Sequence, residues 1–499
     1  SLFNVGVTSA QLRVAQAIKM MLKKALVKCM CHFEADWPLN LMQYCRNSCM
    51  QDMRPMKNYK VLTQAVLVTL FVLATSASIA ASLSDDVRSL YDNKLQDLFV
   101  HFHQNPELSF KEDKTAKRLG DELEALGYTL HRGIGGTGLV ALLENGPGPT
   151  VMFRADMDGL PVEEKSGLPY ASEATQLDWD GNRVPVMHAC GHDVHITSLV
   201  GTAKLMADRK EQWSGTLMLL GQPAEERVAG ARVMMEDGLW DRVGQPDFAM
   251  AFHVTSALPT GSIAAPPTAA YSGADTVDIM IKGIGAHGAS PHTGVDPIVL
   301  GSQIVMGLQT VVSRNLAPRR PGVITVGSFH SGTKHNIISD AAKLQLTVRS
   351  ESPEDRQLLL EGIERVAVNM GRVAGLPDDM LPVVIVNQGE GVPPTVNDAA
   401  FVGAVRSAWR EYFGPSIFND GERKGMGAED FGYFTTDPYI PSLYFAVGGT
   451  PKADFEAAAN GGAPIPSHHS PLFKIEPEGS VTLGVEASVS ALLDVLAVK

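Results

Sequence analysis

The apolar positions of this chain change their period along its length, and the changes divide it. From Ser84 to Leu126 they recur at helical spacing, broken by the turn-like NPELSF at Asn105 to Phe110. Beyond that, Thr150 to Phe153, Thr216 to Leu220 and Asp247 to Phe252 are nearly unbroken apolar runs, the pattern of parallel strands covered on both faces. Helical segments intervene at Ile196 to Met206 and Ala231 to Leu239. Alternation of such runs and helices predicts an α/β core with a largely parallel central sheet.

Near Ala269 the texture becomes one-sided. Val277, Ile279 and Ile281 alternate with Asp278, Met280 and Lys282, and Leu344, Leu346 and Val348 alternate with Gln345, Thr347 and Arg349. Such alternation predicts an antiparallel sheet with one face buried. A helix with Asp296 as N-cap and Pro297 in its first turn is expected to run to about Arg314, and a second to follow Pro353. After Pro393 and Pro394 the core resumes with a helix from Asp398 to about Tyr412, a strand at Leu443 to Val447 and a last helix from about Ser480. The expected organisation is therefore a core in two pieces, 82–269 and 386–499, with an α+β unit of an antiparallel sheet and two helices inserted at 270–385.

Composition narrows the function. A length of 499 residues favours two domains. The net charge of −13 argues against nucleic acid as a partner. Residues 1–80 hold nine Lys/Arg and three Asp/Glu, which leaves 33 against 52 for the remainder, a charge of −19. That first stretch also holds Cys29, Cys31, Cys45 and Cys49, so Cys190 is the single thiol of the body. The basic head from Met56 to Lys60, the apolar run from Val61 to about Ala74 and the small residues of SASIAAS have the form of a secretory signal at 56–81. On this reading translation begins at Met56, residues 1–55 are a non-native extension, and cleavage near Ala80 or Ala81 yields a secreted or periplasmic protein. The apolar run is shorter than the ~20 residues of a membrane span; the alternative is an uncleaved signal that anchors the chain.

The candidate chemistry centres on MHACGHDVH, Met187 to His195. A thiol and imidazoles this close are donors suited to zinc and its neighbours, and Gly191 is the small spacer that lets Cys190 and His192 bend around one ion. Strand ends bring further groups: Asp156 and Asp158, Glu225 and Glu226, and His253, with His469 from a later loop. The carboxyl ends of parallel strands are where open α/β sheets place their ligands. Consecutive side chains of an extended segment point to opposite sides. One of Glu225 and Glu226 can then hold metal while the other serves as base for a metal-activated water.

The ordered motifs MHACGHDVH, GQPAEE, AFHV, AHGASPH, HNIISD, GMGAEDF and HHSP resemble those of the dinuclear-metal aminoacylase and carboxypeptidase family, in the branch of hippurate hydrolase and the plant hydrolases of indole-acetyl-amino-acid conjugates. The resemblance runs from about Leu98 to the C-terminus. It implies a catalytic α/β domain with an inserted lid and dimerisation domain. The implied reaction is hydrolysis of an N-acyl (aroyl, acetyl or indole-acetyl) amino acid, with a carboxypeptidase or dipeptidase acting on a short peptide as the alternative. Two divalent metal ions are implied, with zinc first and manganese, cobalt or nickel as other candidates. The implied ligands are Cys190, His192, Glu226, His253 and His469, with Glu225 as base and Asp158 as the group that orients them. Asp156 stands where the wider family has a metal-binding histidine and is not counted as a ligand. His287 is the implied oxyanion stabiliser, and Asn336 and Arg349 are candidates to grip the substrate carboxylate. His188, His195, His292 and Glu429 lie in the motifs without a role. A catalytically inactive solute-binding homologue would be expected to have lost the base or a ligand, and this chain retains them all. A homodimer through the lid is the expected assembly.

Overall fold

The structure, a computed structural model, describes residues 83–421 and 425–498. The expected signal at 56–81, the extension at 1–55 and its four cysteines lie outside these residues.

The described chain opens with helix α1 (83–104) and helix α2 (Asp113–Ala125), then enters a hairpin of β1 (Thr129–Ile134) and β2 (Gly138–Asn145). The core continues with β3 (Thr150–Asp156), helix α3 (His192–Asp208), β4 (Gly215–Gln222), β5 (Phe248–Pro259) and the short β6 (Ile263–Ala264). Four antiparallel strands follow, β7 (Gly273–Lys282), β8 (Gly322–Ser331), β9 (Ala341–Ser350) and β10 (Val383–Val386), together with helices α4 (Pro297–Thr310) and α5 (Pro353–Val373). Helix α6 (Ala399–Phe413), strand β11 (Ser442–Thr450) and helix α7 (Pro477–Val495) complete the core.

The larger sheet has the order β1-β2-β4-β3-β5-β11-β6. Its inner pairs β4/β3, β3/β5 and β5/β11 are parallel and its margins antiparallel. It is buried on both faces, as the unbroken apolar runs require: Val151, Phe153 and Ala155 of β3 enter one cluster with α1, α3 and α7, while Met152 enters another with Met218, Met234 and Phe434. The smaller sheet, β8-β9-β7-β10, buries a single face. Val277, Ile279, Leu344 and Leu346 pack there against Leu300 and Ile304 of α4 and Leu359 and Ile363 of α5. Asp296 caps α4 by accepting the N–H of Ile298 at 2.9 Å, and Asp398 caps α6 through the N–H of Phe401 at 2.7 Å.

The helix from Asp296 runs to the expected end near Arg314, its α-helical part Pro297–Thr310 passing directly into a π-helical last turn, Val311–Asn315. Two expectations need correction. The helix read over Ala231 to Leu239 is two, Gly230–Glu236 and Leu239–Val243, because Gly238 adopts a left-handed φ of 74° between them. His253 lies inside its strand, since β11 extends the ladder past Val254 to Thr255 and β5 runs on to Pro259. Among the described residues no helix is long and apolar enough to cross a membrane.

Candidate active site

The site forms where β3, β4 and α3 meet. Gly191 supplies the N-cap of α3 with a φ of 84°, and a Cβ there would lie 2.4 Å from Val254 Cγ1. Glycine is therefore required for the chain to pass between Cys190 and His192. After β4, Ala224 and Val228 take left-handed φ values of 50° and 51° on either side of the turn Glu225–Arg227. Such values are costly for residues with a Cβ and persist only where neighbours hold them. Glu112 Oε1 accepts the Ala224 N–H at 2.9 Å, and Asp158 accepts the N–H groups of Glu225 at 3.1 Å and Glu226 at 3.0 Å. Ser109 Oγ donates to the same Asp158 carboxylate at 2.6 Å. Asp158 thus lies beneath the Glu225–Glu226 turn, and its backbone carbonyl accepts His192 Nδ1–H at 2.8 Å.

That last bond puts a proton on His192 Nδ1 and leaves Nε2 as the atom that can take an ion or a second proton. The atom is buried and has no hydrogen-bond partner among the described residues. It faces Asp156 at 3.8 Å and Glu225 and Glu226 at 3.9 Å each. Burial alone would lower this imidazole, but the charges of Asp156, Asp158 and Glu226 outweigh it and lift it to about 10. Around it burial, then Glu429 and Glu226, push the Glu225 carboxyl well above the usual range, and burial pushes Glu226 up to about 7. The site is rich in carboxylates, with Asp156, Asp158, Glu225 and Glu226 around His192. Its donors gather in groups close enough to share an ion: Cys190 with Glu226 and His469, Cys190 with His253 and His468, and His192 with Glu225 and Glu226. Thiolate, imidazole and carboxylate in that proximity fit divalent zinc-like ions.

Asp156 is spent elsewhere. It accepts Arg154 Nη1 at 2.6 Å and His195 Nδ1 at 2.5 Å, and His195 Nε2 takes the Val254 N–H at 2.9 Å. Arg154, fully buried, also binds Glu429 at 2.8 Å, whose other oxygen accepts the Tyr444 hydroxyl at 2.6 Å. This buried ion network was not read from the sequence, although an arginine within the apolar run of β3 was its signal. HHSP also brings His468 to the site, its Nδ1 3.5 Å from Cys190 Sγ; two adjacent imidazoles in the motif are its only signal in the sequence. His188 is buried with neither ring nitrogen hydrogen-bonded among the described residues.

The lid candidates hydrogen-bond within the lid. His287 is exposed, and its Nδ1 accepts the Ala289 N–H at 3.0 Å. Asn336 shares its edge, its carbonyl accepting the Gly288 N–H at 2.9 Å, while its buried Oδ1 has no partner among the described residues. Arg349 is turned onto its own strand, donating to Thr347 Oγ1 at 2.7 Å and to the Val348 carbonyl at 3.2 Å. His292 is exposed.

A strand-end pocket of this donor chemistry, in a parallel sheet that carries a one-sided α+β insertion, defines a metallohydrolase. Residues 152–460 match peptidase family M20/M25/M40, and the chain belongs to that family. It is 35% identical over 336 residues to the hippurate hydrolase of Campylobacter jejuni, covering 66% of this chain and 82% of that one. It is 34% identical to thermostable carboxypeptidase 2 of Saccharolobus solfataricus, over 73% of this chain and 88% of that one. The crystal structure of Bacillus subtilis YXEP, described as a dinuclear metal binding peptidase of the M20 family, superposes with a TM-score of 0.65 at 28% identity, covering 82% of this chain and 99% of that one. The chain is accordingly a metal-dependent hydrolase of amide or peptide bonds.

Proposed function

We propose that this protein hydrolyses the amide bond of N-acyl amino acids, with aroyl, acetyl or indole-acetyl groups on the acyl side. The observation that carries the mechanism is the Asp158 anchorage of two consecutive glutamates, Glu226 among the metal-capable donors and Glu225 beside His192. The similarity to a hippurate hydrolase supports the substrate class.

Cys190, His192, Glu226, His253 and His469 would hold two divalent ions, which when bound polarise the scissile carbonyl and acidify water. Glu225 takes the proton of the attacking water and delivers it to the leaving amine. Its burial beside other acids raises its proton affinity above that of an ordinary carboxyl, the direction that suits a group taking up a proton. His287 steadies the oxyanion, and Asn336 and Arg349 take the free carboxylate. Arg349 must first leave its contacts with its own strand. These lid groups reach the substrate when the lid closes or when a second chain presents them. The assembly that goes with this reading is a homodimer through the lid, which would cover Ile298, Val299 and Met306, exposed on α4.

The test is a hydrolysis screen of N-benzoyl, N-acetyl and indole-acetyl amino acids against dipeptides, with metal content measured on the same sample. Release of free amino acid from the N-acyl substrates is expected. A clear preference for dipeptides would favour the carboxypeptidase or dipeptidase reading, to which the Saccharolobus relative points.

A further inference from the structure

Imidazoles crowd around Cys190. The rings of His195 and His253 have centroids 4.6 Å apart, His253 and His468 5.2 Å, and His192 and His253 5.9 Å. Proximity does not distinguish the ligands among them. With Zn–N near ~2.05 Å and Zn–S near ~2.3 Å, two tetrahedral ligands of one ion lie about 3.5 Å apart. Both His253 Nε2, at 3.4 Å from Cys190 Sγ, and His468 Nδ1, at 3.5 Å, meet that distance.

The other nitrogen of each ring decides, because a neutral imidazole has one N–H and one lone pair. His253 Nδ1 lies 2.6 Å from the Val254 carbonyl oxygen, which can only accept, so the proton is on Nδ1 and the lone pair on Nε2. His468 is wired the opposite way. Its Nε2 accepts the Ser256 N–H at 3.4 Å, which places the proton on Nδ1, the atom that faces the sulfur. The Ser256 N–H aimed at His468 Nε2 requires a lone pair on that atom, so the His468 ring carries its one proton on Nδ1. His195 repeats the second arrangement, with the Val254 N–H on its Nε2 and its Nδ1 directed at Asp156.

We propose that His468 is a positioning residue that donates an N–H···S hydrogen bond to the Cys190 thiolate and does not itself bind metal. The Phe473 ring, 4.8 Å from it, holds the imidazole in place. A donor aimed at the sulfur stabilises its anionic form and draws charge from it, tuning its donation to a metal without entering the coordination shell. The adjacent histidines divide the work: His468 serves the thiolate, and His469, 3.3 Å from Glu226, remains with the ligands. This rests on Cys190 being a metal-bound thiolate.

The experiment loads the full chain with Co²⁺ and records bound cobalt per chain and the thiolate-to-cobalt charge-transfer band for the wild type, His468→Ala and His468→Gln. His468→Ala should keep the wild-type cobalt stoichiometry while the band moves to longer wavelength. His468→Gln, whose amide can offer an N–H to the sulfur, should move it back toward the wild type. Loss of a cobalt equivalent in His468→Ala would make His468 a ligand and overturn the proposal, as would an unmoved band at full stoichiometry. A wild-type cobalt protein without any thiolate band would overturn the Cys190 reading as well. If circular dichroism shows that His468→Ala does not fold, His468→Phe, a ring without an N–H, carries the same comparison.

Discussion

Asp158 accepts the backbone N–H of Glu226 at 3.0 Å, so a carboxylate from the end of one strand fixes the backbone of the turn after its neighbour. The same group takes the Glu225 N–H and the Ser109 hydroxyl. Asp158→Ala should leave two buried amides unpaired and loosen both glutamates. A fall of roughly 10- to 100-fold in kcat or metal affinity is expected, the usual effect of losing a group that orients ligands. Steady-state kinetics with metal analysis checks it; unchanged values in a folded variant would show that the turn holds itself.

Glu225 and Glu226 should separate by phenotype. Glu225→Ala is expected to keep its metal and lose roughly 10²- to 10⁴-fold in rate. Glu226→Ala and Cys190→Ala should lose metal and activity together. Swapped glutamate phenotypes would exchange their roles.

His103, which is not among the proposed metal donors, offers a pH signature in stability. Burial would lower its pKa, but hydrogen bonds to Asp193 at 2.7 Å and Glu164 at 3.1 Å outweigh it and raise it to about 9. A pKa raised above the ordinary 6.5 adds stability that is complete below pH 6.5 and lost as pH rises through 9. Urea unfolding should therefore show a larger gap between wild type and His103→Gln at about pH 6 than at about pH 9.5. An equal gap at both would mean that the imidazole is not charged in the folded state.

His287 is exposed on the lid, where its Nδ1 accepts the N–H of Ala289 in its own turn. Mixing inactive His287→Ala chains with inactive Glu225→Ala chains should restore partial activity if the residue acts across a dimer. No recovery after demonstrated subunit exchange would confine His287 to its own chain or remove it from catalysis.

If residues 56–81 direct export, N-terminal sequencing of protein from its own host should begin close to Ala81 or Ser82. A mature chain still carrying Cys29 to Cys49 would exclude this.

What the sequence determined by itself was whatever depends on local order. Unbroken apolar runs at β3, β4 and β5 announced strands buried on both faces, and alternation in β7 and β9 announced one-sided burial, because side-chain period follows directly from strand geometry. Cys190, Gly191 and His192 were legible because their proximity is covalent. Tertiary structure alone decided how distant groups share protons. That Asp156 is consumed in part by His195, and that His468 turns an N–H toward Cys190 while His253 turns a lone pair toward it, depend on contacts between residues far apart in the chain. An imidazole's role is set by what its second nitrogen meets, and here those partners are the N–H of Ser256 and the carbonyl of Val254 on one strand. No spacing of histidines along a sequence carries that information.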